Sequence, residues 1–353
     1  MRSLTGMIRR VRHDKFPSQG IEQLSREGLL MPSQTLEACK PAASGAPQMF
    51  KLLSAIGRGD LALGRLYEGH VNAVGLIERY GNHAQRNLAE RLSSQGHLLG
   101  VWGADDGARP GRLSRGTLQG RKTYASGADK IGAAIIIVKD EEERSVMVLV
   151  PTERLAGRFD PTWWQPMGMT TTDSFAVDLE GLETDPDDLI GMPDDYLTQP
   201  LFGGGAIRFV AVQLGGLLAV WDAMLGHLTA TGRADDPIQA ARLGHVMAQL
   251  EAVHAGVEAA YRRLAPALCG EEEGNPEDAL IADAARTLTY RAGGAVMEEA
   301  VQAVGCPGLM AGHDLERALR DLTVYLRQPA PDAALLRAAR GAAAGHYRPL
   351  FDG

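Results

Sequence analysis

The sequence predicts a multidomain α+β fold: an N-terminal helical domain, a middle β domain of barrel or sandwich type, and a C-terminal four-helix bundle. Hydrophobic residues make up 45% of the 353 residues and aromatic residues only 5%, a composition that favours close-packed helices. Apolar residues recur at helical spacing on both sides of a central stretch of short, β-branched runs. A chain of this length also exceeds what one hydrophobic core usually holds, so several packed units are expected.

The first two predicted domains cover residues 1–96 and 97–200. In the first, apolar residues repeat at helical intervals over 49–56 and 61–80, with Gly-Arg-Gly-Asp as the break between them. In the second, short β-branched or alternating runs are separated by Gly, Asp and Pro. These runs are 98–102, 117–125, 133–138, 145–150 and 174–179, with 118–122 predicted as a hairpin connection.

The third predicted domain covers residues 201–353 and is helical. Its first helix has one apolar face at i, i+3, i+4, i+7 spacing, and prolines that favour first helical positions open the second and third. The predicted helices are 207–228, 237–263, 276–304 and 314–327, followed by a short terminal helix at 332–344.

Charge and cysteine content exclude several function classes. The net charge of −8 and the pI near 5.6 disfavour nucleic acid as a partner. Cys39, Cys269 and Cys306 are far apart and lack metal-ligand spacing, so neither a disulfide framework nor a metal site is predicted. The longest apolar run, 209–221, is shorter than the ~20 residues that span a bilayer. We therefore expect a cytoplasmic protein without a membrane span.

A glycine-rich turn and a charged helix lie near the C-terminal end. Their pattern resembles the acyl-CoA dehydrogenase superfamily of flavoproteins, in which a Q-x-x-G-G-x-G turn precedes a helix carrying E-R/K-x-x-R-D. The matching residues are Gln302, Gly305, Gly308, Glu316, Arg317, Arg320 and Asp321, with Cys306 in place of the second glycine. The resemblance implies the acyl-CoA dehydrogenase-like fold and FAD as the cofactor.

The resemblance also assigns cofactor contacts to the middle domain. One strand matches a family strand on which an aromatic residue packs on the flavin ring, while a hydroxyl or its backbone N–H faces the reactive ring nitrogen. Those positions are Tyr124 and Ser126. Trp102, Gly103 and Ala104 stand where backbone groups of the family bind the pyrimidine part of the flavin.

Further cofactor contacts are implied in the bundle. Arg233 matches an arginine that contacts the cofactor pyrophosphate, a role that suits its planar, bidentate guanidinium. In the family, the glycine-rich turn reaches the flavin of a second subunit. Gln302, Gly305 and Cys306 would therefore complete the site across an interface, which implies a homodimer or homotetramer.

The catalytic base expected of an acyl-CoA dehydrogenase is missing from its usual places. Counting eight residues beyond the aspartate of the charged helix gives Pro329, and Ile207 occupies the alternative position. Glu68, His70 and Asp332 are the three candidates for a substitute base.

The resemblance implies α,β-dehydrogenation of an acyl thioester, presented by CoA or a carrier protein, with Arg208 bordering the thioester. Electrons would pass to an external acceptor such as an electron-transfer flavoprotein. A flavin-dependent monooxygenase of the same fold is one alternative, because its reaction needs no glutamate base. A non-catalytic homologue that binds an acyl group or flavin is another.

Overall fold

The computed structural model describes residues 15–40, 47–327 and 330–347. Helices come first, strands follow, and helices end the described chain. The N-terminal helices are α1 (Ser18–Arg26), α2 (Pro32–Cys39), α3 (Gln48–Gly59), α4 (Leu61–Tyr80) and α5 (His83–Ser94). The C-terminal helices are α6 (Leu201–Gly204), α7 (Ile207–Ala230), α8 (Pro237–Cys269), α9 (Ala279–Val304), α10 (Asp314–Tyr325) and α11 (Pro331–Ala343).

The strands form two sheets. In the larger sheet the order is β10-β6-β5-β2-β3-β9, and β1 also pairs with β5 in parallel. The smaller sheet has the order β4-β8-β7. The strands are β1 (Leu99–Trp102), β2 (Arg112–Ser114), β3 (Thr117–Gln119), β4 (Arg121–Ala125), β5 (Ala133–Lys139), β6 (Ser145–Pro151), β7 (Phe159–Asp160), β8 (Phe175–Asp178), β9 (Leu182–Glu183) and β10 (Leu189–Ile190).

The expected hairpin at residues 118–122 is wrong. β3 pairs with β2 and β9 in the larger sheet, whereas β4 pairs with β8 in the smaller one. Between them Gly120 has φ 85° and lies so close to the Pro110 carbonyl that no Cβ would fit. A glycine at a positive φ turns the chain sharply, and here it passes the chain from one sheet to the other.

β5 separates two hydrophobic cores. Ala134, Ile136 and Val138 on one face belong to the main core, while the alternate residues face a smaller core formed with α4 and α5. Both faces are therefore covered, which explains why the strand is a continuous apolar run rather than an alternating one.

Glycines set the packing between α3 and α7. A Cβ on Gly57 would meet the Val212 carbonyl oxygen, and one on Gly215 would meet the Ser54 carbonyl oxygen. The two backbones therefore touch, and any larger side chain at these positions would force the helices apart.

The bundle buries its most apolar helical stretch. Residues Leu201–Ala230 are long and apolar enough, by length and composition, to cross a membrane, but 61% of their most apolar window is buried inside the protein. Packing inside the bundle therefore accounts for this apolarity. α8 continues past the expected end at Arg263 to Cys269, because Leu264, Ala265 and Ala267 keep its apolar face buried.

α10 carries the charged motif and docks on both other parts of the chain. Arg317 donates to the Asp60 carboxylate at 2.7 Å, and Asp60 also caps α4 by accepting the Leu63 N–H at 2.8 Å. Asp321 accepts the Met169 N–H at 2.6 Å. A Cβ on Gly168 would lie inside the contact distance of the Arg320 carbonyl oxygen, so this glycine lets the loop before β8 lie directly on α10.

Substituting Gly168 by alanine tests this docking. We expect Gly168→Ala to lower the free energy of unfolding by at least ~2 kcal/mol, because one backbone must move away from the other. Gly226→Ala is the matched control, since Gly226 is an exposed glycine within α7 that has open space around its Cβ position. The control should be neutral or stabilising by up to ~1 kcal/mol. Equal urea unfolding curves for the two variants would contradict the close approach.

Candidate functional site

Three aromatic rings form a partly exposed face at the end of β4. Tyr124 is 46% exposed, and its ring lies edge-on to Trp163 at 4.8 Å and to Trp164 at 5.9 Å between centroids. Its backbone has φ 53°, beside a register shift between β4 and β8. A non-glycine residue at positive φ is uncommon, and such strain is concentrated at functional sites. The face suits a planar aromatic ligand such as a flavin ring.

A chain of hydroxyl groups begins at Ser126, two residues after Tyr124, and continues to the buried Ser174 and Thr172. Ser126 Oγ lies 2.9 Å from Ser174 Oγ, which lies 2.7 Å from Thr172 Oγ1. Thr172 Oγ1 donates to the Met169 carbonyl at 2.8 Å, and the Met169 N–H donates to Asp321. The charged motif on α10 is therefore connected by hydrogen bonds to Ser126.

The direction of this chain follows from proton counting. Each hydroxyl has one hydrogen to donate. Thr172 uses its hydrogen on the Met169 carbonyl, so Ser174 must donate to Thr172, and Ser126 must donate to Ser174. The Ser126 N–H is also engaged, because it donates to the Tyr124 carbonyl at 2.8 Å. Ser126 Oγ can therefore bond to any further group only as a hydrogen-bond acceptor.

The segment of Trp102, Gly103 and Ala104 is fixed alongside Ser126. The Trp102 side chain is 1% exposed, and its Nε1–H donates to the Ser126 carbonyl at 3.2 Å, so it positions Ser126 from inside the protein. The fully buried Lys122 ammonium donates to the Gly103 carbonyl at 3.0 Å and to Asp105 at 2.6 Å. The Ala104 carbonyl accepts the Thr123 N–H at 2.9 Å. The sequence alone assigned no role to Lys122, whose buried ammonium group holds this loop through its hydrogen bonds to Gly103 and Asp105.

The predicted cofactor residues of the bundle lie on its surface. Arg233 is exposed just after α7. The pKa of His227 is lowered mainly by burial, next by the charge of His313, and least by the charge of Arg233. Gln302 is exposed and accepts from Arg242 at 3.0 Å, and Cys306 is exposed in the turn that begins at Gly305. Gly305 has φ 78°, a conformation that glycine adopts without strain.

The three candidate bases lie in different surroundings. His70 is 0% exposed, its Nδ1 accepts the Leu99 N–H at 3.1 Å, and its Nε2–H donates to the Leu30 carbonyl at 2.9 Å. Neither ring nitrogen is left to accept a substrate proton. Asp332 is exposed in the first turn of α11. Glu68 is buried and accepts from Arg65 at 2.8 Å.

Ile207 and Pro329 occupy the two positions at which the family resemblance implies a glutamate. Ile207 is fully buried at the start of α7, inside the main core. Pro329 lies outside the described residues. Arg208 follows Ile207 and donates to Asn72 at 2.6 Å, so it points toward α4 and the neighbourhood of Glu68. In the described ranges, no group of three or more His, Cys, Asp or Glu is arranged to hold a metal ion.

The fold and the bundle motif both resemble those of acyl-CoA dehydrogenase-like proteins. A family model described as "Acyl-CoA dehydrogenase, C-terminal domain" matches residues 210–327. The FMN-bound structure of TdsC from Paenibacillus sp. A11-2 has a TM-score of 0.82 at 18% identity, covering 99% of this chain and 97% of that one. The resemblance read from the glycine turn and the charged helix is thereby confirmed.

More particular relatives are named as monooxygenases. Dibenzothiophene monooxygenase of Rhodococcus erythropolis is 23% identical over 211 residues, which are 56% of this chain and 48% of that protein. The alignment thus spans about half the length of these curated relatives. MsuC, a methanesulfinate monooxygenase from Pseudomonas fluorescens, has a TM-score of 0.78 at 17% identity, covering 99% of this chain and 96% of that one.

These comparisons correct one prediction. An acyl-CoA dehydrogenase acting on CH–CH bonds was expected, and that expectation is wrong, because the relatives matched by sequence and by structure are named as monooxygenases. A shared fold carries several chemistries, so the family motif identifies the scaffold and not the reaction.

The environment of His70 makes stability depend on pH. Burial lowers the pKa of His70 to about 4, against a smaller opposite effect of its bond to Leu30. At pH values between the folded-state pKa and the ordinary histidine pKa of ~6.5, His70 binds a proton in the unfolded state but not in the folded state. The free energy of unfolding therefore falls as the pH falls through this range. We expect the free energy of unfolding to drop by ~2 kcal/mol from pH 7.5 to pH 5 on this account.

The control compares two histidine variants. His70→Gln should show a smaller drop over this pH range, whereas His97→Gln, at an exposed position, should keep the wild-type drop. Urea unfolding at both pH values measures the difference. A wild-type pH dependence in His70→Gln would exclude His70 as its source.

Proposed function

We propose that the protein is a flavin-dependent monooxygenase, the alternative that the sequence left open. It would use O2 and a reduced flavin to insert one oxygen atom into an organic substrate, while the second oxygen atom leaves as water. The two electrons come from the reduced flavin, which when bound supplies the oxygen-activating chemistry. The monooxygenase names of the sequence relatives and structural neighbours support this proposal.

The observation that carries the proposal is the direction of the hydroxyl chain. Ser126 Oγ is an acceptor, because its own hydrogen is donated to Ser174. A reduced flavin carries an N–H at its reactive ring nitrogen, whereas an oxidised flavin has only a lone pair there. The chain therefore favours the reduced, oxygen-reactive flavin over the oxidised flavin that a dehydrogenase needs at the start of its cycle.

We propose FMN rather than FAD as the flavin. Two of the structural neighbours, TdsC and KijD3, contain FMN. In this chain Tyr124, Trp163 and Trp164 would hold the ring, and Arg233 would pair with phosphate. Releasing the cofactor from purified protein and separating FMN from FAD by chromatography tests the choice, and FAD as the only flavin found would reject it.

We further propose that the site is completed by a second copy of the chain. The support is the exposure of Gln302 and Cys306 in a glycine turn that the family uses across an interface. Sedimentation equilibrium of the flavin-loaded protein should give a dimer or a tetramer. A monomer that binds flavin with full affinity would contradict the shared site.

Isotope labelling tests the reaction. Protein loaded anaerobically with reduced FMN is mixed with ¹⁸O2 and a panel containing indole, dibenzothiophene and methanesulfinate. The expected result is a product that carries one ¹⁸O atom, with less hydrogen peroxide than in the absence of substrate. An acyl-CoA panel added to the oxidised protein without oxygen should leave the flavin spectrum unchanged. Stoichiometric peroxide with every substrate, or no stable flavin, would reject the proposal, the latter favouring a non-catalytic homologue.

Ser174→Ala tests the hydroxyl chain without an activity assay. Removing Ser174 Oγ frees the Ser126 hydrogen to bond to the oxidised flavin, so the flavin midpoint potential should fall by ~10–30 mV, the equivalent of one hydrogen bond. Ser114→Ala is the control, because Ser114 Oγ bonds to Glu141 at the surface. A potential that rises, or that shifts equally in both variants, would show that Ser126 is not directed as inferred.

A further inference from the structure

A polar cluster lies buried between α4, α7 and α10. Arg65 donates to Glu68 at 2.8 Å, and the Nε atom of Arg208 lies 3.9 Å from the Glu68 carboxylate. The side chains of Arg65, Glu68 and Arg208 are 22%, 9% and 12% exposed. Tyr325 is 3% exposed at the end of α10, and its hydroxyl interacts electrostatically with both Glu68 and Arg65.

The cluster has one more positive charge than negative. It contains two guanidinium groups and one carboxylate. The neighbouring tyrosines add no negative charge, because burial raises the pKa of Tyr196, Tyr261 and Tyr325. A buried, uncompensated charge is costly, so such clusters are normally completed by a partner of opposite sign.

Two hydrogen-bond donors in this cluster have no protein partner. Among the described residues, the Nε–H of Arg208 and the hydroxyl of Tyr325 are both buried without an acceptor. Buried polar groups are nearly always satisfied, and an unsatisfied group indicates a missing ligand or water. Arg208 Nε lies 3.9 Å from the Glu68 carboxylate, and the Tyr325 hydroxyl interacts with the charges of Glu68 and Arg65. A bound molecule with acceptor oxygens beside Glu68 would offer partners to these donors and supply the missing negative charge.

The cluster adjoins the proposed flavin site. Two glycines also leave space for the guanidinium groups of Arg65 and Arg208. Tyr196, whose hydroxyl feels the charges of Arg208 and Glu68, reaches within 3.8 Å of the Cβ position of Gly103. A Cβ on Gly69 would lie 3.3 Å from the Arg65 guanidinium, and one on Gly205 would lie 2.8 Å from that of Arg208. The absence of both Cβ atoms lets these cations sit against the helices.

We infer that this cluster binds the anionic head group of the substrate, a carboxylate or a sulfur oxyanion, through Arg208 Nε and the Tyr325 hydroxyl. The inference rests on the proposed monooxygenase function and adds the substrate class to it. A neutral polycyclic substrate would leave the same two donors unsatisfied and the positive charge uncompensated. The anion would direct the remainder of the substrate toward Gly103 and the flavin ring.

Titration calorimetry with the oxidised, flavin-loaded protein tests the inference. The probes are benzoate and benzenesulfinate, compared with the neutral analogues benzamide and methyl phenyl sulfone. Both anions should bind at least about tenfold more tightly than their neutral analogues, because a hydrogen bond to a charged group is worth more than a neutral one. Equal affinities for anionic and neutral probes would overturn the inference.

Two variants with matched controls locate the binding. Tyr325→Phe and Arg208→Gln should weaken anion binding roughly 10- to 100-fold. Tyr290→Phe, at a half-buried tyrosine of α9, and Arg79→Gln, whose arginine contacts the Ala267 carbonyl, should bind anions as the wild type does. Since the Tyr325 hydroxyl has no partner to lose, Tyr325→Phe should keep its melting temperature without anion. Unchanged anion affinity in Tyr325→Phe would exclude this subsite.

The failure of this inference differs from that of the proposed function. The calorimetry uses oxidised flavin and involves no reaction with oxygen. Anion binding without any oxygenated product would reject the monooxygenase and leave the subsite intact. Oxygenation of neutral substrates only, together with no preference for anions, would reject the subsite and leave the monooxygenase intact.

Discussion

The hydrogen bond from the Met169 N–H to the Asp321 carboxylate is the contact on which the rest of the structure depends. Burial raises the pKa of Asp321, while this bond and the Arg317 charge oppose that effect. A buried carboxylate is tolerated only when such partners satisfy it. Through Arg317 the same cluster includes Asp60, which caps α4. One turn of α10 therefore joins the N-terminal helices, the strand region and the bundle.

The same contact determines how the site is built. Met169 is held by Asp321 on its N–H side and accepts from Thr172 on its carbonyl side. Because the carbonyl takes the Thr172 hydrogen, the hydroxyl chain can have only one direction. A motif that looks like a family signature in sequence is thus, physically, the anchor of a loop, and hydrogen bonds through Thr172 and Ser174 link it to Ser126.

Much of the fold was predictable because its signals are local. Helical periodicity located the long helices, and the apolar runs located β5 and β6. The hairpin at residues 118–122 was not predictable, since the positive φ of Gly120 could equally belong to a tight hairpin turn. Which sheet β4 joins depends on its partner β8, which is far along the chain. Such pairing choices leave no pattern within a short segment.

The candidate site was predictable only in part. Tyr124 and Ser126 were assigned by motif, and the structure shows the Trp102 Nε1–H donating to the Ser126 carbonyl. Tyr325, Arg65 and Lys122 were missed because their importance arises from burial and from partners distant in sequence. A tyrosine in a helix is ordinary until its hydroxyl is seen to lack a partner.

The reaction prediction failed for a related reason. The motif indicates the anchor at Asp321, and that anchor is compatible with any chemistry that the fold supports. The proposed monooxygenase chemistry and substrate class rest instead on the direction of a hydroxyl chain and the sign of a buried charge. Both become visible only after side chains from three parts of the chain have been placed side by side.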